Sequence, residues 1–190
     1  LLTESHLASS ADVEPASPSP ANRDAAVQYW QAFALLPVMN DQERQIAGDW
    51  QTTPLNPAAD KLIQASAPAL KQLHRGSICN RCDWGLNKED SFNLRLPHLV
   101  KARELARLAF LRERQRLSVG QTTQAIDDII DTLILARRAG ADDILIGILV
   151  QASIEQMAVD AIAPHLATFN KNDLAALSTR IAQLPPGGSI

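Results

Sequence analysis

Residues 96–140 read LPHLVKARELARLAFLRERQRLSVGQTTQAIDDIIDTLILARRAG, and this stretch decides the fold class. Apolar residues recur at helical spacing on both sides of Gly120. This pattern predicts one long helix from about Pro97 to Val119 and a second helix that Gly140 ends. The second helix carries aspartates in its first half and arginines at its end, as the helix macrodipole favours. Because the connection at Gly120 is short, we expect the two helices to be antiparallel neighbours.

The next stretch, ADDILIGILVQASIEQMAVDAIAPHLATF, is apolar on nearly every side. A helix that is apolar all round belongs in a core, so we expect Ile144–His165 to be a central rod between its neighbours. A further helix stops at Pro185. Residues 96–184 are therefore expected to form an antiparallel four-helix array, followed by a flexible tail at 185–190.

The first half of the chain shows the same helix signals. Asn40 and Glu43 have the spacing of a capping box. A longer helix is expected to begin at Pro57 and to end just before Gly76. Pro68 within it should kink or split it. The fold class is therefore predicted to be all-α.

Composition agrees with that fold class and excludes some functions. The chain has 190 residues, of which 46% are hydrophobic and only 4% aromatic, so its core must be aliphatic, which favours helices over sheets. The net charge of −3 argues against a nucleic-acid partner. Apolar runs stay shorter than the roughly 18 to 20 residues that a membrane span needs, so we expect no span.

The N-terminal stretch LLTESHLASSADVEPASPSP is rich in Ser, Ala and Pro. Such a composition buries too little apolar surface to order itself, so residues 1–21 are expected to be a flexible leader. Residues 22–184 would then be one helical domain, with its N-terminal helices at 22–76. One interpretation of the leader is a plain chain boundary. The other is an exported, periplasmic or envelope protein whose signal peptide has been removed.

Both cysteines lie in a polar loop predicted for residues 77–95, in the sequence SICNRCDWG. The C-x-x-C pair Cys79 and Cys82 leaves four interpretations open, namely a disulfide, free thiols, half of a metal site or a redox pair. A disulfide that clips the loop suits an exported protein. A thioredoxin-like redox pair needs a preceding strand, which the sequence does not predict.

Zinc is the cofactor that this segment could bind. A second C-x-x-C is absent, but His74, Asp83 and His98 are candidate completing ligands. Otherwise the sequence suggests no cofactor. It also contains none of the usual catalytic motifs, such as H-E-x-x-H, G-x-S-x-G or a glycine-rich phosphate loop.

Glu155 falls on the apolar stripe of the predicted central rod. A carboxylate there is costly unless it is paired, so we expect a buried ion pair. The candidate partners are Arg103, Arg107 and Arg137. The alternatives are an acid with a raised pKa facing a pocket, or simple exposure.

A basic run follows Leu96 on the first long helix. Its members are Lys101, Arg103, Arg107, Arg112, Arg114 and Arg116. The run is either a solvated face that pairs with the aspartates of the next helix, or a surface for an acidic partner.

The large aromatic residues lie in the first half of the chain. Tyr29, Trp30, Trp50 and Trp84 are expected to pack together against the cysteine loop, and any of the tryptophans that stays exposed would mark a binding surface.

Two resemblances add context. The helical hairpin at residues 102–140 resembles a tetratricopeptide-type hairpin, with Ala102, Leu105, Ala106 and Ala109 as its small or aliphatic positions. It lacks that family's aromatic positions and a second copy. The combination CDWGL, LPHLVKARELARL and LVQASIEQMAVDAI resembles a family of bacterial, exported helical proteins, which implies a compartment and no catalytic residues.

Together these patterns favour a helical scaffold or protein-interaction module whose partner is an unknown protein or small molecule. The alternative is a metal-binding or thiol-redox protein that uses the C-x-x-C pair and a nearby histidine.

Overall fold

A computed structural model describes residues 23–86, 96–142 and 144–188. Within these ranges the chain forms seven α-helices, one 3₁₀ helix and no strand, so the all-α prediction is confirmed. The helices are α1 Ala25–Ala34, α2 Asp41–Gly48, α3 Pro57–Ser77, α4 Pro97–Ser118, α5 Thr122–Gly140, α6 Leu145–Ile162 and α7 Lys171–Ala182, with the 3₁₀ helix Ala163–Thr168 before α7. The predicted leader at 1–21 and the loop residues 87–95 lie outside the described residues.

Helices α4 and α5 form the predicted antiparallel hairpin. Gly120 between them has a φ of +76°, a left-handed conformation that glycine adopts without side-chain strain. The turn is closed by the Gln121 amide, which donates to the carbonyl of Arg116 at 2.8 Å. Apolar side chains of both helices, including Leu108 and Ile129, are fully buried in one continuous core.

The central helix of the fold is α5. It packs against α3, α4, α6 and α7. Besides its apolar residues, it buries Asp128, Asp131 and Arg138. Each of these three has a hydrogen-bond partner on another element. These partners offset the free-energy cost of burying charged side chains.

The prediction that Ile144–His165 is the central rod is wrong. Helix α6 lies at the periphery and leaves Leu145, Ile146 and Leu149 more than half exposed, at 61%, 53% and 57%. An apolar sequence shows that a helix has no strongly polar face, but it does not show that every face is covered. This exposed apolar surface therefore needs its own explanation.

One helix in the described part of the chain is long and apolar enough to cross a membrane by length and composition alone. It is the 24-residue stretch Leu145–Thr168, and 39% of its most apolar window is buried. The sequence analysis expected no span because Glu155 and Asp160 interrupt this apolar stretch. Because the core helix of a soluble protein passes the same test, this finding is only a weak indication.

Helix α1 packs against α3 at the other side of the core. Gly76, which the sequence places beyond the end of α3, lies inside it, and a Cβ there would overlap the Tyr29 ring. Its role is close helix approach instead of capping. Pro68 also lies inside α3 and does not split it.

The C-terminal residues 185–188 are packed and are not a free tail, contrary to the prediction. The Gly188 amide donates to Oε1 of Gln151 on α6 at 3.0 Å. A Cβ on Gly188 would overlap the carbonyl oxygen of Gly140, so only glycine fits this close against the end of α5.

Candidate functional site

The cysteine segment, residues 78–86, is an irregular chain that crosses the start of α1. The Ala25 amide donates to the carbonyl of Arg81 at 2.8 Å. Cys79 and Cys82 are free thiols, so the predicted disulfide is not formed. The Cys79 thiol instead donates to the carbonyl of Arg75 at the end of α3, at 3.2 Å.

Burial raises the pKa of both thiols, and that of Cys82 to about 12. Both side chains therefore carry their protons at neutral pH. Because the thiolate is the nucleophile and the metal ligand, this environment disfavours a redox role. The two thiols behave here as small apolar core residues.

The predicted zinc ligands are not brought together. Within the described ranges no group of three or more His, Cys, Asp or Glu side chains is placed to hold a metal ion. Nδ1 of His74 lies 2.9 Å from Asp131, and this hydrogen bond raises the pKa of the histidine. Asp83 accepts from the amide of Gly85 at 2.9 Å in a local turn.

His98, the third candidate zinc ligand outside the C-x-x-C pair, is buried. Its ring stacks on Trp84 with centroids 4.6 Å apart and an interplanar angle of 22°. Burial lowers the pKa of His98, and its Nδ1 has no hydrogen-bond partner in the part of the chain that the structure describes. The imidazole is thus a neutral aromatic member of the core.

Trp84 is the centre of an aromatic cluster between α1, α4 and the cysteine segment. Its ring stacks with those of Tyr29 and Phe33, at 5.8 and 6.2 Å, and meets Trp30 edge-on at 6.1 Å. Trp50 is elsewhere, against Phe110 at 5.3 Å. Trp84 and Trp50 are buried core residues, whereas Trp30 is 41% exposed, so the prediction that an exposed tryptophan marks a binding surface now applies to Trp30 alone among these three.

Arg138 ties the cysteine segment to the core. Its buried guanidinium donates to Oη of Tyr29 at 3.0 Å, to the carbonyl of Gly76 at 2.6 Å and to the carbonyl of Cys79. The Arg138 carbonyl accepts from the Trp84 indole at 2.9 Å. The sequence suggested only a macrodipole role for this arginine, since two of its three targets are backbone carbonyls and the third is a side chain more than a hundred positions away.

Glu155 lies beside Arg137, one of its three candidate partners. Nε of Arg137 is 2.6 Å from Oε1 of Glu155, although its N–H does not point along that line, so the contact is ionic without hydrogen-bond geometry. The Glu155 side chain is 29% exposed and also accepts from Gln151 at 3.1 Å. The pair is therefore half-buried and partly screened by solvent.

The members of the basic run on α4 have different partners, and Arg114 donates to the backbone carbonyls of Trp50 and Thr53. Arg112 and Arg116 pair with the buried Asp128 on α5, as expected for a face that pairs with the next helix. Arg103 and Arg107, further toward the start of α4, have no ion pair with any described side chain, and they line a groove instead.

This α4–α6 groove has a volume of about 890 Å³. It is lined by residues 36–39 between α1 and α2, by Arg44 and Ala47 of α2, by Leu96 to Arg107 along α4, and by Ile146 to Ser153 along α6. The rings of the aromatic cluster do not line this groove.

The floor of the groove is apolar and its sides are solvent-exposed. Val38 is fully exposed at 100%, Val100 is 69% exposed, and Ile146 and Leu149 add 53% and 57%. Exposed apolar side chains grouped in one concavity are typical of binding sites.

Its charged side chains are mostly basic. The cations are Arg44, Lys101, Arg103 and Arg107, and Glu104 is the acidic lining residue. Lys101 pairs with Glu104 at 2.8 Å, and Arg44 pairs with Asp41. Among the described side chains, the positive charges of the groove that no carboxylate neutralises are therefore those of Arg103 and Arg107.

Sequence reasoning missed the groove, since its walls are far apart in the chain and only the exposed basic run on α4 gave a signal. Comparison with protein-family models, with curated proteins and with solved structures finds no match to this chain. The resemblances to a tetratricopeptide hairpin and to exported bacterial proteins therefore stay predictions.

Proposed function

We propose that this chain is an interaction module that binds its partner in the α4–α6 groove. One observation carries the proposal. The groove collects large apolar side chains that are more than half exposed and places two arginines without an ion pair among the described residues beside them. A globular protein gains nothing for its own stability from such an arrangement, whereas a partner that covers it would remove apolar surface from water.

The anionic dye 1-anilinonaphthalene-8-sulfonate tests this proposal, because it has an apolar body for the floor and a sulfonate for the arginines. We expect saturable fluorescence enhancement with the full chain under native conditions. The variant Leu149→Glu places a carboxylate on the exposed apolar side of the groove and should weaken dye binding at least fivefold.

Val159→Glu is the matched control. Val159 is 58% exposed on the same helix but does not line the groove, so this variant should bind the dye as the parent does. Circular dichroism and urea unfolding should show that both variants are folded, since partly folded states bind the dye through general exposed surface. Equal dye affinity of the two variants would refute the groove as the binding site.

A further inference from the structure

We propose that the occupant of the α4–α6 groove is an amphipathic helix of another protein, with two acidic residues one turn apart beside its apolar stripe. This inference rests on the proposed function and specifies the partner. It is carried by the length of the groove, its open side and the spacing of Arg103 and Arg107, which have no ion pair among the residues that the structure describes.

The dimensions of the groove suit a helix. Its α4 wall, Leu96 to Arg107, covers about three turns or about 16 Å, and its α6 wall, Ile146 to Ser153, about two turns or about 10 Å. A helix that binds in a groove anchors with side chains at i, i+3 or i+4, and i+7, which covers a similar length.

The open side of the groove favours a helix over a small molecule. A small ligand is held in a concave site that buries most of its surface. Here Val38, Val100 and Leu149 are more than half exposed along the sides. An amphipathic helix would cover them with its apolar stripe and keep its polar face in water.

The charge of the groove selects an acidic partner. Arg103 and Arg107 are four residues apart on α4, about 6 Å along the axis, and neither has an ion pair within the described ranges. Two carboxylates at i and i+4 on a docked helix have the same separation. Such rim contacts contribute to specificity and association rate more than to affinity.

A membrane surface fits these observations less well. The chain as a whole carries a net charge of −3, so an anionic bilayer would repel it outside the groove. The apolar side chains also line a concavity, whereas a bilayer surface meets flat or convex faces.

Two labelled synthetic helical peptides test the inference. Both have Leu at i, i+3, i+4 and i+7 on an alanine-rich background, and they differ only at two flanking positions one turn apart. These positions are Glu in one peptide and Lys in the other. By fluorescence anisotropy at low salt, the full chain should bind the Glu peptide at least tenfold more tightly.

The double variant Arg103→Glu/Arg107→Glu should reverse this preference. Arg75→Glu is the matched control, because Arg75 is an exposed arginine on α3 outside the groove, and it should keep the parent preference. The inference would be overturned by equal binding of the two peptides, or by a preference that the double variant leaves unchanged. It would also be overturned if no peptide binds while phosphatidylglycerol vesicles bind in an Arg103- and Arg107-dependent way.

The two proposals fail separately. If Leu149→Glu and Val159→Glu bind the dye equally, the groove is refuted as a binding site. If the difference in dye binding holds but the two peptides bind equally, only the acidic helical partner is refuted.

Discussion

Glu113 is fully buried on α4, and neither of its carboxylate oxygens has a hydrogen-bond partner in the described part of the chain. Burial, together with the nearby Asp128 carboxylate, raises its pKa to about 8. At neutral pH Glu113 is therefore mostly protonated. In the sequence it is one of two acids within the basic run of α4, and nothing in that pattern distinguishes it from a solvated residue.

Glu113 should make the protein less stable as the pH rises. Below its ordinary pKa of 4.5 the carboxyl is neutral in both states and adds no pH dependence. Between pH 4.5 and about 8 the unfolded chain ionises while the folded one stays neutral, so stability falls as pH rises. Glu113→Gln removes this ionisation, and the variant should gain about 2 to 4 kcal/mol relative to the parent between pH 5 and pH 8.5.

Urea unfolding of both proteins at the two pH values measures this effect. The difference between variant and parent is the informative quantity, because other groups, including His74, titrate in the same range in both proteins. A difference that does not change with pH would show that Glu113 is ionised in the fold.

At the level of elements, one arginine of α5 makes hydrogen bonds to α3, α1 and the cysteine segment at once. Arg138 donates to two backbone carbonyls, of Gly76 and Cys79, and to the Tyr29 hydroxyl. Its guanidinium also lies 5.8 Å from the centre of the Tyr29 ring. The C-x-x-C segment is thus fixed by hydrogen bonds to its backbone instead of by a bond between its sulfurs.

Arg138→Met should destabilise the fold by about 2 to 5 kcal/mol, because it removes three buried hydrogen bonds donated by a charged group while filling similar space. The neighbouring Arg137→Met is the control. Arg137 contacts the half-buried Glu155, so its loss should cost less than about 1 kcal/mol. Urea midpoints of the two variants provide the test, and equal losses would contradict the role assigned to Arg138.

At the scale of the whole molecule, the C-terminal residues close over the junction of α5 and α6. Gln151 of α6 accepts from the Gly188 amide, and Gly187 packs against the same glutamine and Arg137. The last described residues therefore belong to the same packed unit as the core helices.

Gly188→Val should release this closure, since a side chain there would overlap the carbonyl of Gly140. We expect faster hydrogen exchange at the backbone amide of residue 188, which bonds to Gln151, and a stability loss of about 1 to 2 kcal/mol. Gly48→Ala is the control because no atom lies within 4 Å of its added Cβ, and it should leave exchange at the amide of residue 188 unchanged. Unchanged exchange in Gly188→Val would mean that the segment does not depend on this close contact.

Local sequence signals set the helical class and the ends of several helices. The capping box of Asn40 and Glu43, the start at Pro57 and the turn at Gly120 are set by local backbone chemistry, which acts over a few residues. The expectation that α3 ends just before Gly76 is wrong although it concerns a local signal, because Gly76 lies inside the helix in close contact with Tyr29. At Pro68 the helix is continuous, so of the two predicted outcomes, a kink or a split, the split is excluded.

Contacts between residues distant in the chain set which helix is central and where a partner could bind. Helix α6 is the more apolar sequence, but α5 occupies the centre because residues far away in the chain satisfy its aspartates and Arg138. The groove likewise joins residues 36–39, α4 and α6. Periodicity reports how polar each face of a helix is, whereas burial and grooves depend on which neighbour meets that face.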